Sequence, residues 1–177
     1  MSDAASDDRA RNAPSRRPPL WATLVSTAGG AGFSPVGPGT CGTLVAVPLA
    51  WALNRAGLLV FAVGTLIVSL IGIWAADVFC KSTGVDDDQR IVIDEVAGYL
   101  VTIALVPRGW VNLALGFIVF RVLDIWKPGP IRMVDEKVHG GFGVMADDLA
   151  AGVLGALVML GLHLGGVDAW LAAHLHG

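Results

Sequence analysis

The sequence predicts an all-helical, polytopic membrane bundle with four or five hydrophobic helices. Of its 177 residues, 54% are hydrophobic and only 15% are charged, whereas soluble globular proteins carry about 25% charged residues. The apolar residues form continuous runs and not the narrow stripes of a soluble amphipathic helix. The net charge of −3 leaves no basic field of the kind that holds nucleic acid, so no nucleic-acid partner is expected.

Residues 1–19 are predicted to be a disordered N-terminal tail, followed by a single membrane-embedded domain over residues 20–177. The tail mixes Ser, Asp, Arg, Ala and Pro without periodicity, so it cannot bury enough apolar surface to offset its chain entropy. It does not resemble a signal peptide, because no apolar segment with a cleavage site follows its arginines. The two cysteines, Cys41 and Cys80, have neither the number for a disulfide framework nor the spacing of metal ligands.

Two apolar runs are long enough, or nearly so, to span a bilayer, which takes about 20 apolar residues. Ala56–Ala76 is uncharged, and Leu149–Val167 is interrupted only by His163. A third run, Thr43–Leu53, is short and contains Pro48. It is predicted either to cross as a kinked helix or to insert only partly.

Two further runs become long enough to span only if their helices continue through charged residues. Val96–Val106 would extend back through Asp94 and Glu95, and Gly109–Phe120 would extend forward through Arg121–Trp126. The Pro107-Arg108-Gly109 turn joins these helices in an antiparallel arrangement. At about 1.5 Å per residue, both charged sets lie some 20 Å from the turn, so they approach the same membrane face.

Successive helices cross the bilayer in alternating directions. When the chain is traced in this way, the remaining polar motifs also lie on that same face. The face with most Lys and Arg residues is expected to be cytoplasmic. The motif face collects most of the basic residues beside the basic tail, and the opposite face has only Arg55 and Arg108. The basic residues of the motif face are Lys81, Arg90, Arg121, Lys127, Arg132 and Lys137.

Carboxylates at the edge of a membrane cost free energy, about 2.5–3.5 kcal/mol each on insertion scales, so they are candidates for function. Several carboxylates close together repel unless a positive charge lies between them, and oxygen ligands suit a hard cation such as Mg²⁺. Arg121 and Asp124 share a helix face and can also form a simple ion pair. The candidate metal ligands are Asp94, Glu95, Asp124, Asp147 and Asp148.

A glycine-rich stretch, residues 29–43, precedes an apolar helix. Its backbone N–H groups and the helix N-terminus favour an anion, although the stretch fits neither the P-loop nor the dinucleotide fingerprint. Its hydroxyl residues Ser34, Thr40 and Thr43 are candidate substrate ligands. Arg121, Lys127 and Arg132 can bind phosphate through fixed positive charge, and Lys127 can alternatively anchor lipid headgroups.

His139 lies between glycine-rich turns beside the expected carboxylate cluster. It is either a surface histidine or a general acid or base, and the two readings are left open. The other histidines have no carboxylate cluster near them in sequence and are interpreted as structural or terminal.

The six tryptophans are interpreted as anchors at the membrane interface. Asp86–Asp88 is interpreted as a solvated loop that can form the rim of a site.

Three sequence blocks carry a resemblance to a known family. They are Gly32-Phe33-Ser34-Pro35 with Pro38-Gly39-Thr40, Ile91-Val92-Ile93-Asp94-Glu95 with Gly98, and a long third block. The third runs from Phe120-Arg121-Val122-Leu123-Asp124-Ile125-Trp126-Lys127-Pro128 through Pro130-Ile131-Arg132 and Val138-His139-Gly140-Gly141 to Asp147-Asp148-Leu149-Ala150-Ala151-Gly152. On these blocks the chain resembles the phosphatidylglycerophosphatase A family from about Gly32 to Gly152.

The resemblance implies an all-helical membrane phosphatase of the bacterial inner membrane. It implies Mg²⁺-dependent removal of the terminal phosphate of phosphatidylglycerophosphate, which gives phosphatidylglycerol for phospholipid biosynthesis, with the active site facing the cytoplasm. With the carboxylate cluster, it suggests Asp94, Glu95, Asp124, His139 and Asp148 as catalytic residues. Direct attack by water and attack by a carboxylate both remain open. The alternative is a small transporter or ion-binding membrane protein that uses intramembrane carboxylates.

Overall fold

A computed structural model describes residues 17–107, 109–128 and 140–175. Every regular element in these ranges is helical, as the sequence predicts. The elements are α1 (Leu20–Ser26), a kinked 3₁₀ segment (Ala28–Phe33), α2 (Pro38–Arg55), α3 (Leu58–Thr83), α4 (Ile93–Thr102), α5 (Trp110–Trp126), α6 (Gly140–Leu164) and α7 (Val167–Leu175).

The two longest helices, α3 and α6, are long and apolar enough to cross a membrane. The predicted Ala56–Ala76 segment corresponds to α3, which starts after Gly57 (φ 105°) and ends at Gly84 (φ 74°). Much of the α3 surface is apolar and exposed in the isolated chain. Most of the predicted Leu149–Val167 segment is the later part of α6, which ends at Leu164, and Val167 already belongs to α7. α6 begins well before the predicted segment, at Gly140, and so includes Asp147 and Asp148 in its interior.

The Thr43–Leu53 run is part of α2, a continuous helix of 18 residues that contains Pro48. Gly37 adopts the left-handed conformation just before it, and Pro38 occupies the first turn, where its missing N–H costs no hydrogen bond. The predicted extension of the Gly109–Phe120 helix through Arg121 to Trp126 is confirmed, because α5 ends at Trp126.

The prediction that the Val96–Val106 helix is long enough to span is wrong. α4 has only ten residues, or about 15 Å, and its chain leaves the helix after Thr102. Pro107 follows within a few residues and disfavours helical conformation in the residue before it. α4 is short because it is internal: Tyr99, Leu100 and Ile103 are fully buried, and α2, α3, α5 and α6 pack around it.

The most extensive helix packing among the described residues joins α4 and α6, which run in the same direction. Gly98 and Gly152 meet at the crossing, where a Cβ on Gly152 would lie 2.5 Å from the Gly98 carbonyl oxygen. One turn further along, a Cβ on Gly155 would lie 2.8 Å from Thr102 Oγ1. These glycines therefore permit close backbone approach of the two helices.

Gly152→Ala is expected to destabilise the protein by about 1–3 kcal/mol, because the added methyl group overpacks the crossing. Gly161→Ala is the matched control, since it lies in the same helix with nothing within 4 Å of its Cβ position. That control should be neutral or stabilising by up to about 1 kcal/mol. Melting temperatures in detergent micelles measure both effects, and equal melting temperatures for the two variants would contradict the crossing.

Candidate active site

A cavity of about 440 Å³ opens at one end of the bundle, where α2, α4 and α6 begin and α5 ends. Residues from five separate segments line the cavity. The fold therefore brings the polar motifs together at one end of the bundle, as predicted. The charged side chains in its lining are those of Asp86, Asp87, Asp94, Glu95, Arg121, Asp124, Lys127, Asp147 and Asp148.

Three carboxylates in this cavity form the tightest group. Asp94, Glu95 and Asp148 each offer an oxygen atom, and these three atoms lie within 4.8 Å of one another. Asp94 and Glu95 occupy the first turn of α4, where Asp94 Oδ1 accepts a hydrogen bond from the Glu95 N–H at 3.0 Å. Asp148 comes from α6 across the Gly98–Gly152 crossing. We call these residues the carboxylate triad.

The oxygen atoms of the carboxylate triad have the ligand chemistry that suits a hard cation such as Mg²⁺. Glu95 Oε2 is buried and has no hydrogen-bond partner among the described residues, and an unpartnered buried carboxylate oxygen is costly. The three oxygens are close enough to share one ion, and carboxylate oxygen is the ligand type that Mg²⁺ prefers. The donor set therefore fits a divalent cation.

Arg121 connects the triad to a fourth carboxylate. Its Nη1 lies 2.6 Å from Asp124 Oδ2 and 3.9 Å from Glu95 Oε1, and the Arg121 side chain is largely buried. The ion pair with Asp124 considered from the sequence is thus present. Arg121 Nε is buried without a hydrogen-bond partner in the described part of the chain, so the guanidinium retains capacity to donate to a ligand.

Asp147 and Lys127 form a second ion pair at the cavity wall, with 2.6 Å between Lys127 Nζ and Asp147 Oδ2. Lys127 terminates α5 in the left-handed conformation (φ 43°, ψ 63°), which a non-glycine residue rarely adopts. Asp124 and Asp147, both predicted as metal ligands, line the cavity but each contacts a basic side chain, and neither belongs to the triad.

The cavity is strongly acidic. Among the described residues, its lining contains seven carboxylates and two basic side chains, a formal balance of −5 when all are ionised. Both basic groups are already engaged with carboxylates. An anionic ligand is repelled from such a cavity at short range unless cations enter with it.

The glycine-rich stretch contributes backbone rather than hydroxyl groups. Gly37, Pro38 and Gly39 line the cavity, and the first N–H groups of α2 have no acceptor within the helix. The Ser34 hydroxyl donates to the Val36 carbonyl at 2.9 Å, and the Thr43 hydroxyl donates to the Gly39 carbonyl at 2.9 Å.

Ser34, Thr40 and Thr43 are not among the cavity-lining residues. Their predicted role as substrate ligands gains no support from their positions. Arg132 and His139, the remaining predicted site residues, lie outside the residues that the structure describes.

A well-anchored loop between α3 and α4 forms one rim of the cavity with Asp86, Asp87 and Gln89. Next to them, the buried Asp88 carboxylate accepts hydrogen bonds from Arg90 Nε at 2.8 Å and Nη2 at 2.5 Å. These hydrogen bonds lower the pKa of Asp88, against the opposing effect of burial. The Arg90 guanidinium also lies 5.2 Å from the centre of the Phe79 ring.

A polar cluster at the other end of the bundle was not identified from the sequence. Asp168 Oδ2 accepts a hydrogen bond from Asn112 Nδ2 at 2.9 Å and lies 2.7 Å from His163 Nδ1. Asn112 also donates to the Pro107 carbonyl at 2.7 Å. The cluster connects α5, α6 and α7, and the structural reading of His163 agrees with this position. Asn112 lies 56 residues before Asp168 in the sequence, so spacing gave no signal for this contact.

The chain is similar to proteins of one family over most of its length. A family model described as phosphatidylglycerophosphatase A matches residues 24–163. Phosphatidylglycerophosphatase A of Escherichia coli (strain K12) is 38% identical over 143 residues, which cover 79% of this chain and 83% of that protein. The protein of the same name from Haemophilus influenzae is 33% identical over 141 residues, 78% of this chain and 86% of that protein.

A third relative carries a different name. A Bacteroides thetaiotaomicron protein named "Putative phosphatidylinositol-3-phosphatase" is 37% identical over 147 residues, which cover 78% of this chain and 91% of that protein. No solved structure matches the chain.

Gly39→Ala is expected to weaken Mg²⁺ binding at the triad by about tenfold. A Cβ on Gly39 would overlap Glu95 Oε1 and lie 3.2 Å from Arg121 Nη1, so the methyl group displaces a ligand oxygen. Tenfold corresponds to about 1.4 kcal/mol. Calorimetric titration measures the affinity, with Gly109→Ala as control because its Cβ position is open. Equal affinities in the two variants would show that Glu95 is not a ligand.

Proposed function

The chain belongs to the phosphatidylglycerophosphatase A family and is a phosphatase, and we propose that it hydrolyses the terminal phosphate of phosphatidylglycerophosphate. The product is phosphatidylglycerol, and the reaction serves phospholipid biosynthesis. The observation that carries this proposal is the carboxylate triad beside Arg121 in one acidic cavity. That combination can bind a cation and a phosphate together, as metal-assisted hydrolysis of a phosphomonoester requires.

Mg²⁺ is the proposed cofactor, held by Asp94, Glu95 and Asp148. When bound, it would supply positive charge to the phosphate oxygens and lower the pKa of a nearby water. The acidic balance of the cavity supports this role, because the phosphate monoester itself carries negative charge. Asp124 and Asp147 are expected to act indirectly. Asp124 orients Arg121 and Asp147 orients Lys127, each through an ion pair with an N···O distance of 2.6 Å.

Substrate binding is assigned to groups that surround the triad. Arg121 donates to phosphate oxygens with the N–H groups that its Asp124 ion pair leaves available, in the geometry that guanidinium groups use for phosphate. The N–H group of Gly39 at the start of α2 binds a further oxygen. Lys127 leaves or shares its contact with Asp147 to reach the phosphate.

The reaction breaks the bond between phosphorus and the glycerol oxygen, and that oxygen takes up a proton. His139 is the proposed donor of this proton. The new phosphorus–oxygen bond forms either to water or first to a carboxylate. A substrate with a chiral phosphorus distinguishes these routes by the configuration of the phosphate released. Direct attack by water is one displacement and inverts the configuration, whereas attack by a carboxylate followed by water is two displacements and retains it.

The protein is proposed to be a multi-pass protein of the bacterial inner membrane with the cavity on the cytoplasmic side. The apolar exposed surface of α3 supports this placement. So do two tryptophan pairs: Trp21 and Trp74 have ring centres 4.5 Å apart near the cavity end, and Trp51 and Trp110 have ring centres 6.2 Å apart near the far end. Along α5, Trp110 and Asp124 are separated by about 21 Å, and aromatic side chains favour both interfaces.

A transporter function is not favoured. The family relationship identifies a phosphatase, and the charged residues of the cavity do not continue through the bundle along α3, which has no charged residue between Leu58 and Ala76. A transport path needs polar groups across the whole membrane.

Purified protein is expected to release phosphate from phosphatidylglycerophosphate in micelles with Mg²⁺, and to lose that activity when a chelator is present. Phosphatidylinositol 3-phosphate is the comparison substrate, because one relative is named for it. Phosphate release is measured by a colorimetric assay. A higher kcat/KM for the inositol lipid would transfer the proposal to that substrate, and full activity with chelator would remove the metal from it.

Asp94→Asn and Asp148→Asn are each expected to lower kcat by at least about a thousandfold, or roughly 4 kcal/mol of transition-state stabilisation. Their melting temperatures should not fall, because neutralising one member of a crowded carboxylate group relieves repulsion. Asp77→Asn is the control: its carboxylate pairs with Lys81 on the exposed surface, where such a pair contributes little. Turnover retained in both triad variants would reject the metal site.

A further inference from the structure

The loop between α3 and α4 (residues 84–92) lines the acidic cavity with polar groups to which the proposed chemistry assigns no role. Asp86, Asp87 and Gln89 belong to the cavity lining and are exposed. In the described part of the chain, none of their three side chains makes a hydrogen bond or an ion pair. We call these residues the acceptor rim, because carboxylate and amide oxygens accept hydrogen bonds.

Asp88, which lies within the same run, differs from the acceptor rim in burial and pairing. It is only 8% exposed, and its carboxylate accepts two hydrogen bonds from the Arg90 guanidinium. Its backbone carbonyl accepts a third from the Ile91 N–H at 2.8 Å. Asp88 therefore holds the loop in shape, and the hydrogen-bonding capacity of its neighbours is left for a ligand.

The loop is attached to the helices near both of its ends. Close to its start, Cys80 Sγ of α3 donates a hydrogen bond to the Asp86 carbonyl at 3.2 Å. At its end, the Val92 N–H donates to the Ser26 carbonyl of α1 at 2.8 Å. A solvated connection needs no such restraints, whereas groups that bind a ligand gain affinity when they are held in place before binding.

The cavity has room for more than a phosphate group. Its volume of about 440 Å³ lies within the range of roughly 300–1,000 Å³ that is typical of sites for whole small ligands. The proposed phosphate ligands lie on α2, α4, α5 and α6, whereas the acceptor rim precedes α4 on a separate segment. That segment is therefore available to the group that carries the phosphate, which is the leaving group of the reaction.

The chemistry of the acceptor rim favours a leaving group with free hydroxyl groups. A hydroxyl donates to a carboxylate, and a hydrogen bond to an ionised acceptor is stronger than one between neutral groups. The headgroup of phosphatidylglycerophosphate has one free hydroxyl, and that of phosphatidylinositol 3-phosphate has several. The leaving group of phosphatidic acid has none apart from the one that hydrolysis creates.

We infer that the acceptor rim binds free hydroxyl groups of the leaving group and so selects a hydroxylated lipid headgroup. This inference rests on the proposed lipid phosphatase function and adds the residues that determine which phosphate monoester is hydrolysed. The recognised chemistry is a hydroxyl group close to the phosphate ester, and it is shared by glycerol and inositol headgroups.

The test compares phosphatidylglycerophosphate with an analogue in which hydrogen replaces the free headgroup hydroxyl, with the same acyl chains in the same micelles. Selection is measured as the ratio of kcat/KM for the hydroxylated lipid to that for the deoxy lipid. The double variant Asp86→Ala/Asp87→Ala is expected to lower this ratio about tenfold, which corresponds to one hydrogen bond to a charged group. The loss should fall on the hydroxylated lipid, and the melting temperature should not change because both side chains are exposed.

Asp77→Ala is the matched control. It also removes a carboxylate near the end of α3, but Asp77 pairs with Lys81 and is not among the residues that line the cavity. Its ratio should equal that of the wild-type protein. An unchanged ratio in the double variant would overturn the inference. An unchanged ratio together with a higher Mg²⁺ requirement would likewise overturn it, because the carboxylates would then bind a cation and not the headgroup.

The outcomes also separate this inference from the proposed function. A wild-type protein that hydrolyses neither lipid would reject the proposed function and the inference with it, whereas active protein with a ratio of one would reject the inference alone. If the inositol lipid is the better substrate, the same ratio is measured with that lipid and its deoxy analogues. A fall in that ratio in the double variant would support the inference for an inositol headgroup.

Discussion

The active-site geometry depends on the close crossing of α4 and α6 at Gly98 and Gly152. Any side chain at Gly152 would collide with the Gly98 backbone, so the distance between the two helices is set by main-chain contact. Asp94 and Asp148 each precede their glycine by four residues, about one helical turn. Because the helices run in the same direction, both carboxylates reach the same level on the same side of the crossing. The triad is therefore a direct consequence of the packing.

This packing concentrates negative charge, and other groups around the cavity reduce the free-energy cost of the repulsion between the carboxylates. α2, α4 and α6 all begin at the cavity, so the partial positive charge of three helix N-termini is directed toward the carboxylates. Arg121 and Lys127 neutralise Asp124 and Asp147 at 2.6 Å. The triad itself has no such partner at that distance among the described residues, and it is the part of the cavity where a bound cation stabilises most.

The sequence was sufficient to predict the helical class, the longest helix and the gathering of Asp94, Arg121, Asp124 and Asp148 at one end, because runs and turns determine which end each segment reaches. It could not predict the length of α4, since a helix that is buried on all sides shows the same apolar run as one that spans. Nor could the sequence predict that Asp148, and not Asp147, belongs to the carboxylate triad. Adjacent residues on a helix point about 100° apart, and only the tertiary packing determines which one faces the triad.

The polar cluster at the far end of the bundle also helps to fix the position of Asp148. Asp168 binds Asn112 of α5 and His163 of α6, and hydrogen bonds from Asn112 and His163 lower the pKa of Asp168. α6 is thus fixed at its far end by this cluster and at its middle by the Gly98–Gly152 crossing. Two fixed points on one stiff helix define the position of Asp148 more tightly than either does alone, which is the precision that a shared cation requires.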